Sequence, residues 1–430
     1  MAIMNESELK DFLKGDKCEE DRKRISFFVD NPDIKSMYEE ILSFNENSTE
    51  ASRKNLFDSI KRYALANSPY YKKISNNDYL PIMSKIDMIE NFEAICVPEY
   101  KNKRVHSSST SGSTGIPLSV IQDLEKRRRT IADLKVYGLY ALYPSHAKML
   151  QLRAYKGKFL DRNVDAQNNI YRYDISQLNE CTMPSMIEFI NQWKPSTIFG
   201  YCSTMDAISS FIINNNIQLS YQCTSILVGG EMLSDDVAQR MFQAFKCPIF
   251  DRYSNMEMGI YAQREYGVSD FKFNSASYYL EIVKLDCDEP CKEGEIGRIV
   301  ITDLYNKAFP MLRYDTGDLG SYVKHKGQIY LNNVLGRRID TIFNTRGIAI
   351  DPHVISVQMW GVTNIKQWQF VQKSYNLYLI KILSSGVVDE DCIKTKFRNL
   401  LGNDATIEFV YVQSIPVTNS QKVRYIINEM

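Results

Sequence analysis

The sequence predicts an α/β fold with a large N-terminal domain and a small α+β domain at the C-terminal end. Strand and helix patterns alternate between residues 183 and 253, short strands with tight turns follow from 277 to 333, and a charged break led by Gly336 comes next. Strands that alternate with helices at this spacing form parallel sheets, and the short strands predict an antiparallel subdomain beside them. We therefore expect one domain over residues 1–336 and a second, mobile domain over residues 337–430.

The composition is that of a globular protein of 430 residues, 44% hydrophobic and 24% charged. Its 52 basic residues balance 52 acidic ones, which predicts neither a nucleic-acid partner nor an anionic membrane. No apolar run approaches bilayer length and the segment up to Arg24 is charged, so we expect no membrane span, no signal peptide and a cytoplasmic location. Whether the protein is a monomer or a homodimer stays open.

The nine cysteines are scattered along a chain that is long enough to fold without disulfides. They predict reduced thiols. Cys287 and Cys291 lie four residues apart, but no second Cys/His pair has a matching spacing. A metal site at these two cysteines therefore remains an open alternative.

Helical patterns dominate the first 75 residues and return after Asp123. A stripe formed by Leu56, Ile60 and Tyr63 predicts a helix that ends before Ser68-Pro69. A long helix is expected from Asp123 to Tyr143, and its basic run at 126–129 is interpreted as a solvated face. Contact of this run with a substrate or a phosphate is the alternative interpretation.

The parallel region predicts that three turns meet at one edge of a sheet. The turns follow strands expected at 196–199, 225–228 and 248–251, and they are Gly200-Tyr201, Gly229-Gly230-Glu231 and Tyr253 to Glu257. Ligands bind outside the carboxyl ends of parallel strands. We therefore expect a binding site at this edge.

Beyond residue 277 the pattern changes twice. The clearest strands are expected at Tyr278–Val283, Gly297–Thr302 and Gln328–Leu331. After Gly336 we expect a hairpin, a helix over Pro352–Trp360, a strand pair to Leu383, a helix over Glu390–Leu401 and a last strand. This mixed segment predicts the small second domain.

A polar segment, Ser107-Ser108-Ser109-Thr110-Ser111-Gly112-Ser113-Thr114-Gly115-Ile116-Pro117, has the composition of a loop. Hydroxyl side chains and backbone N–H groups freed by glycine can cradle an anion. Gly/Ser tracts also serve as linkers, and the segment by itself leaves both interpretations open. It is not a Walker A loop, because Ile116 stands where that pattern requires lysine.

In context, this loop resembles the phosphate loop of the adenylate-forming enzymes, which include acyl-CoA synthetases, luciferase-type enzymes and peptide-synthetase adenylation domains. Further segments resemble motifs of that family in its order: Gly229-Gly230-Glu231, Asp251–Gly259, Phe309–Leu319, Gly336–Gly347 and Ile415–Val423. Phe309–Leu319 resembles the family's Arg-Tyr-x-Thr-Gly-Asp-Leu motif almost letter for letter. Residues 68–71 and 80–87 resemble the N-terminal part of phenylacetate–CoA ligases and the related capsule-biosynthesis ligases. The resemblance covers roughly residues 50 to 430.

The resemblance implies roles for individual residues. Tyr253 would pack on adenine, Asp318 would bind the ribose, Glu257 would help to hold Mg²⁺ and act in catalysis, and Lys422 would be the catalytic lysine. Gly200 and Tyr201 would lie in the acyl pocket. The full set implied to bind ATP or AMP is Ser109, Thr110, Ser111, Gly112, Ser113, Thr114, Gly115, Gly229, Gly230, Glu231, Tyr253, Ser254, Asn255, Asp318 and Arg337.

The chain departs from the family pattern at three positions. Met256 replaces the usual Thr/Ser contact to phosphate, a contact that Ser254 or Asn255 could supply instead. Ile339 occupies the position where the family's hinge residue is normally Asp or Lys, next to the retained Asp340. Gln421 replaces the glycine before Lys422. These departures put the hydroxyl–phosphate bond and the domain rotation between half-reactions in question.

The resemblance implies an ATP- and Mg²⁺-dependent ligase that converts a carboxylic acid to acyl-AMP and pyrophosphate and then transfers the acyl group to CoA. One alternative transfers it to an amine, such as an amino sugar in polysaccharide biosynthesis. Another is a nucleotide-binding protein that has lost catalysis. Aromatic and methionine residues near the expected acyl pocket favour an apolar or aromatic acid, but the sequence does not identify it.

Overall fold

Helices form the N-terminal part of the chain, as the sequence predicts. The computed structural model describes residues 18–74, 80–109, 118–155, 162–179, 181–337, 342–350, 355, 358–359, 362–415 and 425–430. The first helices are α1 (Cys18–Asp30), α2 (Pro32–Asn47), α3 (Glu50–Asn67), α4 (Pro69–Ile74), α5 (Lys85–Glu90) and α6 (Phe92–Ile95). Ser84 caps helix α5: its side chain accepts from the Asp87 amide, while the Asp87 carboxylate accepts from the Ser84 amide.

A short hairpin of β1 (His106–Ser109) and β2 (Ser119–Gln122) precedes the long helix α7 (Leu124–Tyr140). The Asp123 side chain caps α7 by accepting from the Lys126 amide. The interpretation of the basic run on α7 as a solvated face is wrong for two of its members, because Lys126 and Arg129 are fully buried. Lys126 Nζ lies 2.8 Å from a carboxylate oxygen of Asp303, and Arg129 donates to the Ala276 carbonyl at 2.6 Å.

One eleven-stranded sheet organises residues 149–337. Its strands are β3 (Met149–Arg153), β4 (Ile170–Asp174), β5 (Thr197–Gly200), β6 (Ser225–Gly229), β7 (Ile249–Ser254), β8 (Ile260–Arg264), β9 (Phe271–Phe273), β10 (Tyr278–Val283), β11 (Gly297–Asp303), β12 (Tyr314–His325) and β13 (Gln328–Arg337). Their order is β10-β11-β12-β13-β9-β8-β7-β6-β5-β3-β4. This architecture confirms the predicted α/β class.

The sheet is parallel on one side and antiparallel on the other. Strands β4, β3, β5, β6 and β7 pair in parallel, and β8 reverses direction against β7. We expected the antiparallel strands to form a subdomain closing the large domain, but they continue the same sheet through β8 and β9. The reason is that the turn at 255–259 lets the chain return directly along β7.

Both faces of the parallel part are covered, so its central strands are buried throughout, as in β6. Helices α9 (Met183–Trp193), α10 (Cys202–Asn214) and α11 (Asp235–Phe245) pack on one face with Ile198, Ile226 and Val228. On the other face, Phe199, Leu227 and Phe250 pack against the segment that follows α7. A short helix, α8 (Arg162–Gln167), precedes β4.

The C-terminal segment forms its own sheet and core. The hairpin β14 (Ile342–Phe343) and β15 (Ala349–Ile350) precedes β16 (Ile365–Gln372), β17 (Leu377–Ser384), helix α12 (Glu390–Leu401), β18 (Thr406–Tyr411) and β19 (Ile426–Asn428). The sheet order is β18-β17-β16-β19, and the Phe370 and Phe397 rings stack at 4.9 Å in its core. The predicted helix 352–360 falls mostly outside the described residues. The division into domains at 336/337 stays a prediction.

Within the described ranges, none of the helices combines the length and hydropathy that a membrane span requires.

Candidate active site

The side chains predicted to bind adenine and ribose meet directly. The Tyr253 hydroxyl, at the end of β7, donates a 2.6 Å hydrogen bond to Asp318 Oδ2 and lies 3.3 Å from the Thr316 hydroxyl. Burial raises the pKa of Tyr253 well above its ordinary value, and the Asp318 carboxylate adds to the shift. The phenol therefore stays protonated and acts as a donor. Arg337 is the register partner of Asp318 on β13, so strand pairing brings three predicted nucleotide-binding positions together.

The motif around Asp318 is held by the two N-terminal segments that resemble the same ligases. The fully buried Tyr71 donates to the Pro310 carbonyl at 3.1 Å and accepts from the Leu312 amide at 3.3 Å. Met83 forms backbone hydrogen bonds with the residues on either side of Tyr314, accepting from the Asp315 amide and donating to the Arg313 carbonyl. These segments therefore fix the motif's backbone, a role that sequence reasoning missed.

The turns after β5 and β6 also meet, as predicted. The Glu231 carboxylate accepts from the Ser203 amide at 2.8 Å and the Ser203 hydroxyl at 3.0 Å, at the N-terminus of α10. An anion is favoured there by the helix dipole. Gly229 is required by packing, because a Cβ on it would lie 2.9 Å from the Arg252 carbonyl, and Gly230 has a φ of +82°. Gly200 ends β5, and the buried Tyr201 precedes α10.

The hairpin that carries the Ser/Thr/Gly loop is anchored beside the Glu257 segment. The Ser108 hydroxyl donates to the Met256 carbonyl at 2.7 Å, and the Gln122 amide donates to the Glu257 carbonyl at 3.3 Å. Ser109 pairs with Ser119 in the hairpin register. Thr110, Ser111, Gly112, Ser113, Thr114 and Gly115 lie outside the described residues. The described ends of the loop therefore lie at the predicted edge of the sheet.

The turn between β7 and β8 carries the departure at Met256. The Asn255 side-chain oxygen accepts from the Met258 amide at 2.9 Å and so closes the turn, which leaves the N–H groups of the Asn255 side chain as the donors that could replace the missing hydroxyl. The Met256 side chain is 56% exposed, whereas Glu257 is 8% exposed. Ser254 ends β7 and is half-buried. The two predicted substitutes for the phosphate contact therefore stay the Ser254 hydroxyl and the Asn255 side-chain N–H groups, because a phosphate oxygen needs a donor.

A buried chain of polar groups supports the same turn from below. The Tyr278 hydroxyl donates to the Met258 carbonyl at 2.6 Å, and Lys126 Nζ donates to that hydroxyl at 3.1 Å. Gly259 has a φ of +127°, and a Cβ on it would lie 2.9 Å from the Tyr278 oxygen. Lys126 belongs to the basic run on α7 that the sequence singled out. Its burial beneath the turn could not be predicted from the sequence.

The residues fit a magnesium ion that is held mainly by a bound nucleotide. Among the described residues there is no group of three or more His, Cys, Asp and Glu side chains that could hold a metal, and this includes the surroundings of Cys287 and Cys291. Mg²⁺ in proteins is often bound by one or two carboxylates together with substrate phosphates and water. The buried Glu257 carboxylate beside the loop anchors is consistent with one such ligand.

Lys422 and Ile339 lie outside the described residues. The nearest described residue to Lys422 on its C-terminal side is Tyr425, next to β19. Burial raises the pKa of the Tyr425 phenol, and the Asp206 and Glu231 carboxylates add to the shift. The Tyr425 phenol therefore lies within electrostatic range of Glu231.

The chain is similar to known proteins along most of its length. Residues 342–429 match the model of the CapK C-terminal domain family. The chain is 24% identical over 432 residues to protein CapK of Staphylococcus aureus, which covers 92% of this chain and 93% of that protein. It is 27% identical over 122 residues to a phenylacetate-coenzyme A ligase of Thermus thermophilus, covering 27% of this chain and 25% of that protein.

Among solved structures, 2-hydroxyisobutyryl-CoA ligase in the postadenylation state, in complex with R3-HIB-AMP, aligns with a TM-score of 0.70. The identity is 16%, and the alignment covers 90% of this chain and 91% of that one. The fold is that of the adenylate-forming ligases. The resemblance predicted from the sequence is thus confirmed, and this ligase fold carries the Tyr253–Asp318 pair and the Glu257 turn described above.

Proposed function

We propose that the chain activates a carboxylic acid with ATP. A carboxylate oxygen attacks the α-phosphorus of ATP, the bond from that phosphorus to the bridging oxygen of pyrophosphate breaks, and acyl-AMP and pyrophosphate form. Such a reaction needs no nucleophile from the protein, because positioning and charge neutralisation lower its barrier. The ligase fold supports this chemistry in general terms.

The observation that carries the proposal is the direct contact of Tyr253 with Asp318. A carboxylate can accept hydrogen bonds from two neighbouring hydroxyls, as a ribose presents them. The Tyr253 ring lies at the same point, at the carboxyl end of β7, where parallel sheets bind ligands. Two side chains that are 65 residues apart in the sequence thus meet where the resemblance places adenine and ribose.

Charge neutralisation is assigned to Glu257 and Lys422. Glu257 would hold Mg²⁺ together with the ATP phosphates, and the ion would supply positive charge to the phosphate oxygens. Lys422 would bring its ammonium to the carboxylate and the α-phosphate as they approach each other. Tyr425, whose pKa the Glu231 carboxylate helps to raise, supports this assignment, because it follows Lys422 by three residues in the chain.

In the second step, we propose that the sulfur of CoA attacks the acyl carbon, the bond from that carbon to the AMP oxygen breaks, and a thioester forms. An amine acceptor is the second candidate, because the sequence also resembles capsule-biosynthesis ligases. An amine nitrogen would attack the same carbon, lose a proton and leave an amide. The first half-reaction is common to both candidates.

Acid-dependent exchange of labelled pyrophosphate into ATP tests the proposal. We expect Mg²⁺-dependent exchange with at least one acid in a panel. The Asp318→Ala variant should lose this exchange. The surface variant Arg128→Gln serves as the control and should exchange like the wild type. No exchange with any acid, for a folded protein that binds ATP, would contradict adenylation. Consumption of preformed acyl-AMP with CoA or with an amine then decides the acceptor.

A further inference from the structure

Two arginines lie around one aromatic ring at the predicted acyl pocket. The Arg153 guanidinium, at the end of β3, lies 4.6 Å from the centre of the Phe199 ring and 5.4 Å from that of Tyr201. The Arg252 guanidinium, on β7, lies 5.6 Å from the centre of the same Phe199 ring. Tyr201 is one of the residues that the sequence assigned to the acyl pocket.

Among the described residues, few groups neutralise the charge of these two guanidiniums. Arg252 is 5% exposed, and its Nε donates to the Gln263 side chain at 2.8 Å, which the Tyr137 carbonyl holds in turn. Arg153 is half-buried, and its buried Nε has no hydrogen-bond partner in the described part of the chain. No ion pair between described residues includes either side chain. Burial and the nearby Arg153 lower the pKa of Arg252 to about 9.

Burying two guanidiniums close together costs free energy unless an anion binds to them. Contacts with an aromatic ring offset only part of the cost of burying a cation, and two cations on one ring repel each other. A guanidinium offers several donors in a planar fork that matches carboxylate or phosphate oxygens. Arg153 is partly exposed, so an anionic group can reach its guanidinium from solvent.

The sheet register separates this pair from the predicted nucleotide contacts. Consecutive side chains of a strand point to opposite faces, so Arg252 lies on the face opposite to Tyr253. Arg252 shares its face with Phe250, which packs with Phe199 and Leu227. Tyr253 instead contacts Asp318. The arginine pair therefore lies on the sheet face away from Tyr253, and Arg153 is next to Tyr201, which the sequence assigned to the acyl pocket.

We propose that the activated acid carries a second anionic group, which Arg153 and Arg252 bind beside Phe199. This proposal rests on the adenylation proposed above, and it replaces the expectation of a purely apolar or aromatic acid. The shared chemistry is a charged oxygen cluster, which a second carboxylate or a phosphonate could equally supply. In either case one carboxylate is activated and the other group is only bound.

Pyrophosphate exchange with matched acids tests the proposal. One series is glutarate, its monoamide, 4-phosphonobutanoate and pentanoate; a second is isophthalate, its monoamide and benzoate. In at least one series we expect kcat/KM for a doubly anionic acid to exceed that of its neutral isostere by about 10- to 100-fold, the range expected for charge-assisted hydrogen bonds. The dicarboxylate and phosphonate arms decide which anion is preferred.

Variants of the pair then localise the effect. Arg252→Gln, which can keep a bond to Gln263, and Arg153→Gln should each lower kcat/KM at least about tenfold for the doubly anionic acid and leave the monoanionic acids and the ATP affinity nearly unchanged. Arg252→Lys, which keeps the charge, should recover part of the loss. Arg128→Gln removes one surface charge on α7 and should change nothing.

Three outcomes would overturn the proposal. If the wild type exchanges pyrophosphate as efficiently with the monoanionic acids as with the doubly anionic ones, the second anionic group is contradicted. Adenylation is still supported in that case. Equal losses with every acid in folded Arg153→Gln would also contradict it. Exchange with none of the acids would contradict adenylation itself and this proposal with it.

Discussion

The Tyr253 hydroxyl and the Asp318 carboxylate are joined by a 2.6 Å hydrogen bond that links the last parallel strand of the sheet to its antiparallel part. The two residues are 65 positions apart in the sequence, so only the folded chain brings them together. The bond exists because β7 returns as β8 and so leads the chain into the antiparallel strands that carry Asp318. The nucleotide contacts assigned to the two residues can therefore be tested as a pair.

Removal of the Asp318 carboxylate should weaken ATP binding. In Asp318→Ala two ribose hydroxyls lose their acceptor, at roughly 1.5–3 kcal/mol for each charge-assisted bond. Tyr253→Phe keeps the ring and loses only the hydroxyl, so its effect on ATP affinity should be smaller. Titration calorimetry with ATP measures both. Unchanged affinity in folded Asp318→Ala would remove this residue from the site.

Lys422→Ala should lower the rate of acyl-AMP formation by orders of magnitude and leave ATP binding nearly intact. The reason is that the ammonium acts on charge that develops as the carboxylate meets the phosphate. Single-turnover release of pyrophosphate measures the step, with the half-exposed Lys54→Ala as the control. A wild-type rate in Lys422→Ala would mean that the lysine has no catalytic role.

The position of Ile339 should matter more for the second step than for the first. The family that the chain resembles rotates its small domain between the steps, and a hinge requires permissive backbone angles rather than charge. We therefore expect Ile339→Asp to change acyl-AMP consumption more than pyrophosphate release, both measured in single turnover. Equal effects on the two steps would show that this residue is not a hinge.

The buried Lys126–Asp303 pair should be essential for stability. Both side chains are 0% exposed, so Lys126→Met leaves a buried carboxylate without its cation and should cost about 3–5 kcal/mol of unfolding free energy. The double variant Lys126→Met/Asp303→Leu should recover part of this loss. Urea denaturation measures all three proteins. Equal losses in the single and the double variant would contradict a coupling between the two charges.

Stability should fall as the pH rises through the titration of Asp251. Burial raises the pKa of this carboxyl to about 7, opposed in part by Arg264. In the unfolded chain it titrates near 3.9, so the folded state holds an extra proton between these values. The resulting stabilisation is complete below about pH 4 and is lost toward pH 7, by about 4 kcal/mol at most.

Urea titrations at several pH values compare the wild type with Asp251→Asn. The variant has no titrating carboxyl and should lack this part of the slope. Asp58→Asn, at a half-exposed position on α3, should keep the wild-type slope. An unchanged slope in Asp251→Asn would assign the pH dependence to other groups.

Much of the site follows from local sequence. Gly229-Gly230-Glu231 and Tyr253–Glu257 were expected at the carboxyl edge of a parallel sheet because strand spacing and turn residues are local signals. The motif that contains Asp318 was identified by its own letters. The structure brings these segments together, although the roles of the individual residues remain proposals.

Tertiary structure decided the features that depend on burial and on distant partners. The sequence cannot distinguish a solvated Lys126 from one that faces Asp303 inside the core, because both have the same local pattern on α7. It likewise does not reveal that Arg153 and Arg252 share the Phe199 ring, since strand order and register bring them together from three segments of the chain. Local sequence thus determines which strands and turns form, whereas charge neutralisation is set by packing between residues that are far apart in the chain.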